Sequence, residues 1–168
     1  PKNTISTARR VYAAIDQLLT VSSALKNNIE QQVGVDSIVV PNMLGKEFHY
    51  VKQDKTERKT IQLITTGRLI PEKHFDMLIQ AIANISSLPL KLIIIGNGSE
   101  KNRLQKSVKE LHLEDKVQLM GYKSKQEIVA LLQESEIFVL PSQSETFGVA
   151  YIEALACGLP IIATDCGG

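Results

Sequence analysis

From residue 61 onward, short apolar runs alternate with amphipathic stretches, and this alternation constrains the fold more than any other feature of the chain. The runs IQLITT (61 to 66), LKLIII (90 to 95), KVQLM (116 to 120), EIFVL (136 to 140) and PIIAT (160 to 164) have the length and composition of buried strands. Between them apolar residues recur at helical spacing. Phe75, Leu78, Ile79, Ile82 and Ile85 form one stripe; Leu104, Val108 and Leu111 a second; Ile128, Leu131 and Leu132 a third; Val149, Ile152 and Ala156 a fourth. Strand and helix in turn are the pattern of βαβ units, whose right-handed crossovers build a parallel sheet with helices on both faces. The expectation is an α/β, Rossmann-like sheet with its five strands in the order 3-2-1-4-5. That order places the topological switch point between the first and fourth strands, and ligands bind outside the carboxyl ends there. Two loops are thereby nominated, TGRLIPEK (66 to 73) and PSQSETFG (141 to 148).

Upstream the texture differs. QDKTERKT, residues 53 to 60, is the most polar stretch and reads as a linker. Before it, TARRVYAAIDQLL sets Ala8, Val11, Tyr12 and Ile15 at helical spacing, and LLTVS (18 to 22) follows as a short β-rich run. SSALKNNIEQQVG reads as a second helix, capped by Ser22 or Ser23 and ended by Gly34, and SIVVPN as a strand closed by Pro41. A chain of 168 residues that is 43% hydrophobic has room for one core that buries roughly 70% of its unfolded surface. Nineteen basic side chains against 18 acidic ones leave a net charge of +1 without a basic run, so no nucleic-acid partner is expected. Aliphatic stretches such as Leu92–Ile95 are far short of the roughly 20 residues that span a bilayer, so no transmembrane segment is expected. The first ten residues lack an apolar signal core, and two cysteines, Cys157 and Cys166, are too few for a disulfide scaffold. A reducing, cytoplasmic setting is the expectation.

The first nominated loop carries Gly67, which lets backbone approach a ligand closely, and then Arg68 and Lys73, two cations around Pro71. A planar guanidinium and a mobile ammonium suit two adjacent phosphates. The plainer alternative is that Lys73 pairs with Glu72 or lies in solvent. The second loop holds Glu145, and Glu153 follows eight positions later. If both lay on one helix they would share a face about 12 Å apart, too far for two carboxylates acting on one glycosidic bond but suited to gripping an extended ligand. Thr146, Phe147, Gly148 and Val149 would begin that helix and offer free N–H groups to an anion. The plainer alternative makes Glu145 a cap and leaves Glu153 solvated. Gly96-Asn97-Gly98 resembles the start of a dinucleotide fingerprint, but the third glycine would have to stand where Lys101 is. The next strand also lacks the acidic residue that binds an adenosine ribose, so an NAD site is disfavoured. His49, His74 and His112 are scattered and neither cysteine has metal-ligand spacing, so no metal is expected. Cys157 is expected to pack as a small apolar residue.

Together, TTGRLIPEKHFDMLIQAI, LKLIIIGNGSEKNRL, VQLMGYKSKQEI and FVLPSQSETFGVAYIEALACGLPIIATDCGG resemble the carboxyl-terminal domain of the family 4 retaining glycosyltransferases, which have the GT-B fold. The family's two glutamates separated by seven residues, with PS before them and EA, CG and P after, are matched from Pro141 to Pro160, with Thr146 where the family often has glycine. His74 stands where glycine commonly follows the lysine. The resemblance implies that Arg68 and Lys73 bind the donor pyrophosphate and that Glu145 holds hydroxyls of the donor sugar, these three forming the catalytic set. Glu153 would hold the ribose hydroxyls, the backbone of Phe147, Gly148 and Val149 would meet the phosphates, and Gly121, Tyr122 and Lys123 would face the base. Gly67 and Gly96 complete the expected donor-binding set.

Before the linker, AIDQLLTVSSALKN and VVPNMLGKEF resemble the end of the same family's first domain. The implied layout is a tail of the acceptor domain with the interdomain crossing over 1–52, a linker over 53–60, and a donor-binding domain over 61–168, incomplete at its carboxyl end. The chain therefore reads as a fragment of a hexosyltransferase-type enzyme with the C-terminal half of a GT-B architecture. Such an enzyme moves a sugar from a nucleotide-diphosphate donor to an acceptor hydroxyl, needs no cofactor or metal, and takes a saccharide or lipid-linked acceptor. Polysaccharide biosynthesis is the implied setting, cytoplasmic or peripheral at the inner membrane face. The alternatives are a GT-B-type sugar epimerase and a non-catalytic nucleotide-sugar-binding module.

Overall fold

A computed structural model describes residues 2–12, 14–52 and 59–166. Most of the expected linker, 53–58, and the terminal Gly167-Gly168 lie outside the described residues. In chain order the elements are α1 (Lys2–Tyr12), β1 (Leu19–Thr20), α2 (Ser23–Val33), β2 (Ile38–Val39), β3 (Ile61–Thr66), α3 (Phe75–Asn84), β4 (Leu90–Ile95), α4 (Lys101–Glu110), β5 (Val117–Gly121), α5 (Lys125–Glu134), β6 (Ile137–Leu140), α6 (Val149–Ala156) and β7 (Ile161–Ala163). They fall into two compact units. One holds the described residues of Pro1–Met43 together with Ser144–Gly148, and the other those of Leu44–Gln143 and Val149–Cys166.

In the larger unit, five parallel strands form one sheet in the order β5-β4-β3-β6-β7. Numbered within this sheet, that order is third, second, first, fourth, fifth; the labels shift by two because β1 and β2 come first in the chain and pair separately. The apolar runs lie in its interior, with Ile64, Leu92, Ile94 and Phe138 wholly buried. Phe75, Ile79 and Ile82 of α3 and Leu104 and Val108 of α4 are buried in the same core. The helix faces of α5 and α6 differ from the expected stripes: Val129 and Leu132 are buried in α5 and Ala154 in α6, while Ile128, Leu131 and Ala156 are only partly covered and Val149 is exposed. Strand bounds shift by a residue as well. β5 bulges at its end, where Ile94 pairs with Leu119 but Ile95 pairs with Gly121, which carries the strand to Gly121.

The smaller unit is built differently. β1 and β2 pair in parallel over two residues each, far less than the apolar runs that contain them. Ser22 caps α2 by accepting the Leu25 N–H at 3.2 Å, and Gly34, with φ 75°, ends it by returning its N–H to the Glu30 carbonyl at 2.9 Å. Such a left-handed closing residue is the usual role of a glycine. α1 stops at Tyr12, and the Ala14 N–H turns back to the Val11 carbonyl at 3.1 Å, so Ile15 lies outside the helix expected to include it. No apolar side chain described in this unit is buried; the Thr20 and Ser37 hydroxyls, 3.2 Å apart, are.

Candidate functional site

Backbone pairing does not stop where β3, β4 and β5 end. The Gly67 N–H donates to the Ile95 carbonyl at 3.0 Å, the Leu69 N–H to Asn97 at 2.9 Å, the Glu100 N–H back to Leu69 at 2.9 Å, and the Gly96 N–H to Gly121 at 2.8 Å. This approach explains the Gly-Asn-Gly sequence without a dinucleotide. A Cβ on Gly96, whose φ is 147°, would lie 1.8 Å from the Gly67 carbonyl oxygen, and one on Gly98 would lie 2.2 Å from that of Leu69. Only glycine leaves room there. Leu69, 1% exposed, anchors the loop in the core.

Arg68 is therefore held between two fixed backbone positions while its side chain is exposed, and that side chain forms no hydrogen bond or ion pair among the described residues. Lys73 closes a 3₁₀ turn, Pro71–Lys73; it is half-buried and already engaged by a neighbour. His74 follows with φ 50° and ψ 37°. That left-handed conformation is the physical reason a glycine suits the position, and histidine adopts it at some cost. The Gln143 N–H donates to the Glu72 carbonyl at 2.8 Å, which ties the start of the second nominated loop to the first.

A pocket of about 270 Å³ opens at the carboxyl ends of β3, β4 and β5. Gly67, Arg68, Gly96, Tyr122 and Lys123 line it, with Ile95 and Ile128 as apolar wall. Five residues named from the sequence thus meet at one opening. Tyr122 is 79% exposed at its rim. The Lys123 ammonium is 2.9 Å from the Glu127 carboxylate, so its charge is met within the first turn of α5. A hollow of similar volume, about 290 Å³, lies by α4 and β5 around Val108, Lys109 and Gln118. It holds none of the expected residues and does not sit at the carboxyl ends of the strands, where α/β sheets bind ligands.

The second loop departs from expectation. α6 starts at Val149, so Thr146, Phe147 and Gly148 precede the helix instead of beginning it. Gly148 has φ 77°, a conformation that does not continue into a helix. Glu145 thus lies in the loop, and a helical rise of about 12 Å does not measure its distance from Glu153. Ser144–Gly148 belongs to the smaller unit, where the Ser22 hydroxyl donates to the Thr146 carbonyl at 2.8 Å. Glu145 is half-buried and has an interaction partner of its own.

Glu153 lies on α6 in the larger unit and is half-buried rather than fully solvated. Its carboxylate accepts no hydrogen bond among the described residues. Burial pushes its pKa above the ordinary carboxylate value; the Lys125 ammonium opposes that and the Glu47 carboxylate adds to it. Neither carboxylate oxygen is sealed from solvent, so water meets both in the free chain and the hydroxyls of a ligand can take that place. Glu47 and Lys125, whose charged ends are 3.3 Å apart, are features the sequence reading missed, since 78 residues separate them and no motif marks either. Cys157 is buried as expected, and burial pushes its thiol pKa up. Among the described residues, no three histidine, cysteine or acidic side chains come together as metal ligands, and no helix is long and apolar enough to cross a membrane.

Residues 47–168 match the family model described as glycosyl transferases group 1. An uncharacterized glycosyltransferase of Methanocaldococcus jannaschii is 31% identical over 91% of this chain and 41% of its own length. The pneumococcal O-GlcNAc transferase GtfA, solved with UDP and GlcNAc, superposes with a TM-score of 0.72 at 27% identity, over 90% of this chain and 30% of that one. The sucrose-phosphate synthase of Thermosynechococcus elongatus has the same fold, with a TM-score of 0.85 at 23% identity over 100% of this chain and 45% of its own. The chain therefore spans less than half the length of each of these proteins.

Proposed function

The chain belongs to the glycosyl transferases of group 1, and from that premise we propose that it supplies the donor site of a retaining, hexosyltransferase-type enzyme that moves a sugar from a nucleotide diphosphate to an acceptor hydroxyl. The observation that carries this reading is the pocket at the strand ends, where Gly67, Gly96, Tyr122 and Lys123 surround an apolar recess for a base and Arg68 stands beside it with no internal partner. Glu153 supports it further, because its half-buried carboxylate has no donor among the described residues and is open to accept two hydroxyls of a ribose. In this reading Arg68 and Lys73 meet the pyrophosphate. Their charge stabilises the negative charge that grows on the departing phosphate, so the step is electrostatic catalysis without a metal or cofactor. Glu145 with the donor sugar, and Phe147, Gly148 and Val149 with the phosphates, take their roles from their places in the motif. The layout of an acceptor-domain tail over 1–52 and a donor domain over 61–168 is part of the same proposal.

The donor is proposed to be a UDP-sugar, as in the pneumococcal relative solved with UDP, and the acceptor a saccharide or a lipid-linked one. The named relatives do not favour a sugar epimerase or a non-catalytic binding module. Calorimetry of the chain with UDP, GDP and NAD tests the reading: a nucleoside diphosphate is expected to bind more tightly than NAD, and tighter binding of NAD than of either diphosphate overturns it.

A further inference from the structure

The close approach of the strand ends accounts for Gly96 and Gly98, but not for the asparagine between them. Nor does it account for Lys101, which stands where a dinucleotide fingerprint would have its third glycine. Asn97 lines the pocket at the carboxyl ends of β3, β4 and β5. Beside it β5 ends at Gly121, whose carbonyl accepts the Gly96 N–H at 2.8 Å. A Cβ on Gly121 would lie 3.9 Å from the Asn97 Oδ1 and 3.9 Å from the Lys101 Nζ. An amide and an ammonium thus converge on one point, next in sequence to the Tyr122 and Lys123 that line the same pocket. Lys101 is poorly placed for the stability of its own helix. It opens α4, where free N–H groups already carry positive charge and no acidic residue of the first turn offsets a cation. The carboxylate before it, that of Glu100, is taken by Arg103. The Lys101 side chain is half-buried, and neither it nor the Asn97 side chain forms a hydrogen bond or ion pair among the described residues.

We propose that Lys101 and Asn97 read the edge of the donor's base and select a lactam, the N–H beside a C=O that uracil and guanine carry and that cytosine and adenine lack. The inference rests on the donor-site reading of the pocket and names the class of base that the pocket takes. Ile95 and Ile128 form an apolar wall, so a base lying against them keeps its polar edge for the groups at the rim. In that reading Arg68 meets phosphate, and the Lys123 ammonium is already met by Glu127 at 2.9 Å. Lys101 is left for the base. An ammonium only donates, so the base atom that faces it has to be an acceptor. The carbonyl oxygen of a lactam satisfies it, whereas the amino group of cytosine or adenine sets a donor against a donor. The Asn97 amide offers both an oxygen and a nitrogen, and it turns over to match the N–H of uracil or the bare ring nitrogen of cytosine. Selection therefore comes from the lysine, and the asparagine adds affinity for either base.

The test is calorimetry with UDP and CDP, which are matched in size and charge, on the chain and on its Lys101→Met and Asn97→Ala variants. The unaltered chain is expected to bind UDP at least about ten-fold more tightly than CDP, the weight of one hydrogen bond from a charged group. Lys101→Met keeps the stem and loses the donor, so it should erase that preference by weakening UDP and leaving CDP unchanged; retained CDP binding also shows that the variant is folded. Asn97→Ala should weaken both nucleotides about three- to ten-fold. Equal losses of UDP and CDP in Lys101→Met would place the lysine on the phosphates, and undiminished UDP would remove it from the site; either overturns the inference. So does equal binding of UDP and CDP by the unaltered chain, which leaves the donor-site reading standing. Normal binding of both by Asn97→Ala overturns the part given to the asparagine. An unaltered chain that binds neither nucleotide overturns the donor-site reading and this inference with it.

Discussion

Gly67 and Gly96 face each other across the ends of β3 and β4, yet a methyl group would meet different surroundings at the two. On Gly96 it would lie 1.8 Å from a carbonyl oxygen, at a φ of 147° that L residues avoid. On Gly67 it would meet only the Phe75 ring edge at 3.5 Å, an ordinary contact. Gly96→Ala should therefore cost about 2–4 kcal/mol of stability in urea unfolding. Gly67→Ala should cost less than about 1 kcal/mol of stability and still weaken UDP by about 1–3 kcal/mol, because its methyl narrows the recess proposed for the donor. If Gly67→Ala binds UDP normally, the glycine is not reserved for a ligand. Both glycines were visible in the sequence, and close approach to a ligand was the reason read for Gly67, but the reason for Gly96 was not visible. Gly-Asn-Gly reads as an incomplete fingerprint until Leu69, nearly thirty residues earlier, is seen pressed against Gly98.

At the scale of elements, the segment between β5 and α5 presents Tyr122 and Lys123 to the pocket, and a capping box holds its junction with the helix. The Ser124 hydroxyl accepts the Glu127 N–H at 3.3 Å, and the Glu127 carboxylate receives the Ser124 N–H at 2.8 Å. The Lys123 ammonium and the Ser124 N–H lower the Glu127 pKa from 4.5 to about 2. A carboxylate with a lowered folded value stabilises the fold above its unfolded pKa and loses that contribution as pH falls through the folded one. Glu127→Gln keeps a capping side chain without the charge. The stability difference between the chain and this variant should be constant near neutrality and disappear as pH falls from 4.5 to about 2; thermal melts over that range check it, and a difference that persists at the lower limit contradicts it. The box carries its own sequence signal, Ser124 and Glu127 in Ser-x-x-Glu spacing ahead of an apolar run, which the sequence reading passed over; β3 and β4 were legible to the residue because their apolar runs begin and end sharply. α6 was placed three residues early, since nothing local tells that Gly148 takes φ 77° and delays the helix. The pairing of Glu47 with Lys125 was not legible at all, being set by how the segment before β3 lies along α5.

For the whole molecule, apolar burial is confined to one of the two units. Every buried apolar side chain described belongs to the larger one, from Phe48 to Leu159. In the smaller one Leu19, Ile38, Val40 and Met43 are exposed and α2 buries no residue. Stability follows buried contacts, so amides of α2 and β2 should exchange with deuterium at least about 100-fold faster than those of β3, β4 and β6. Comparable protection in both would show a source of stability beyond apolar burial. The binding proposed for the larger unit depends on its charge as much as on its shape: an apolar recess would hold a nucleoside, and Arg68 beside it would select a diphosphate. Calorimetry of the Arg68→Ala variant with UDP and with uridine tests this most directly. The loss of a charge-assisted hydrogen bond should weaken UDP by about 1.5 to 3 kcal/mol and leave uridine nearly unchanged; equal losses for the two, or undiminished binding of UDP, would contradict the assignment of this loop to the donor's phosphates.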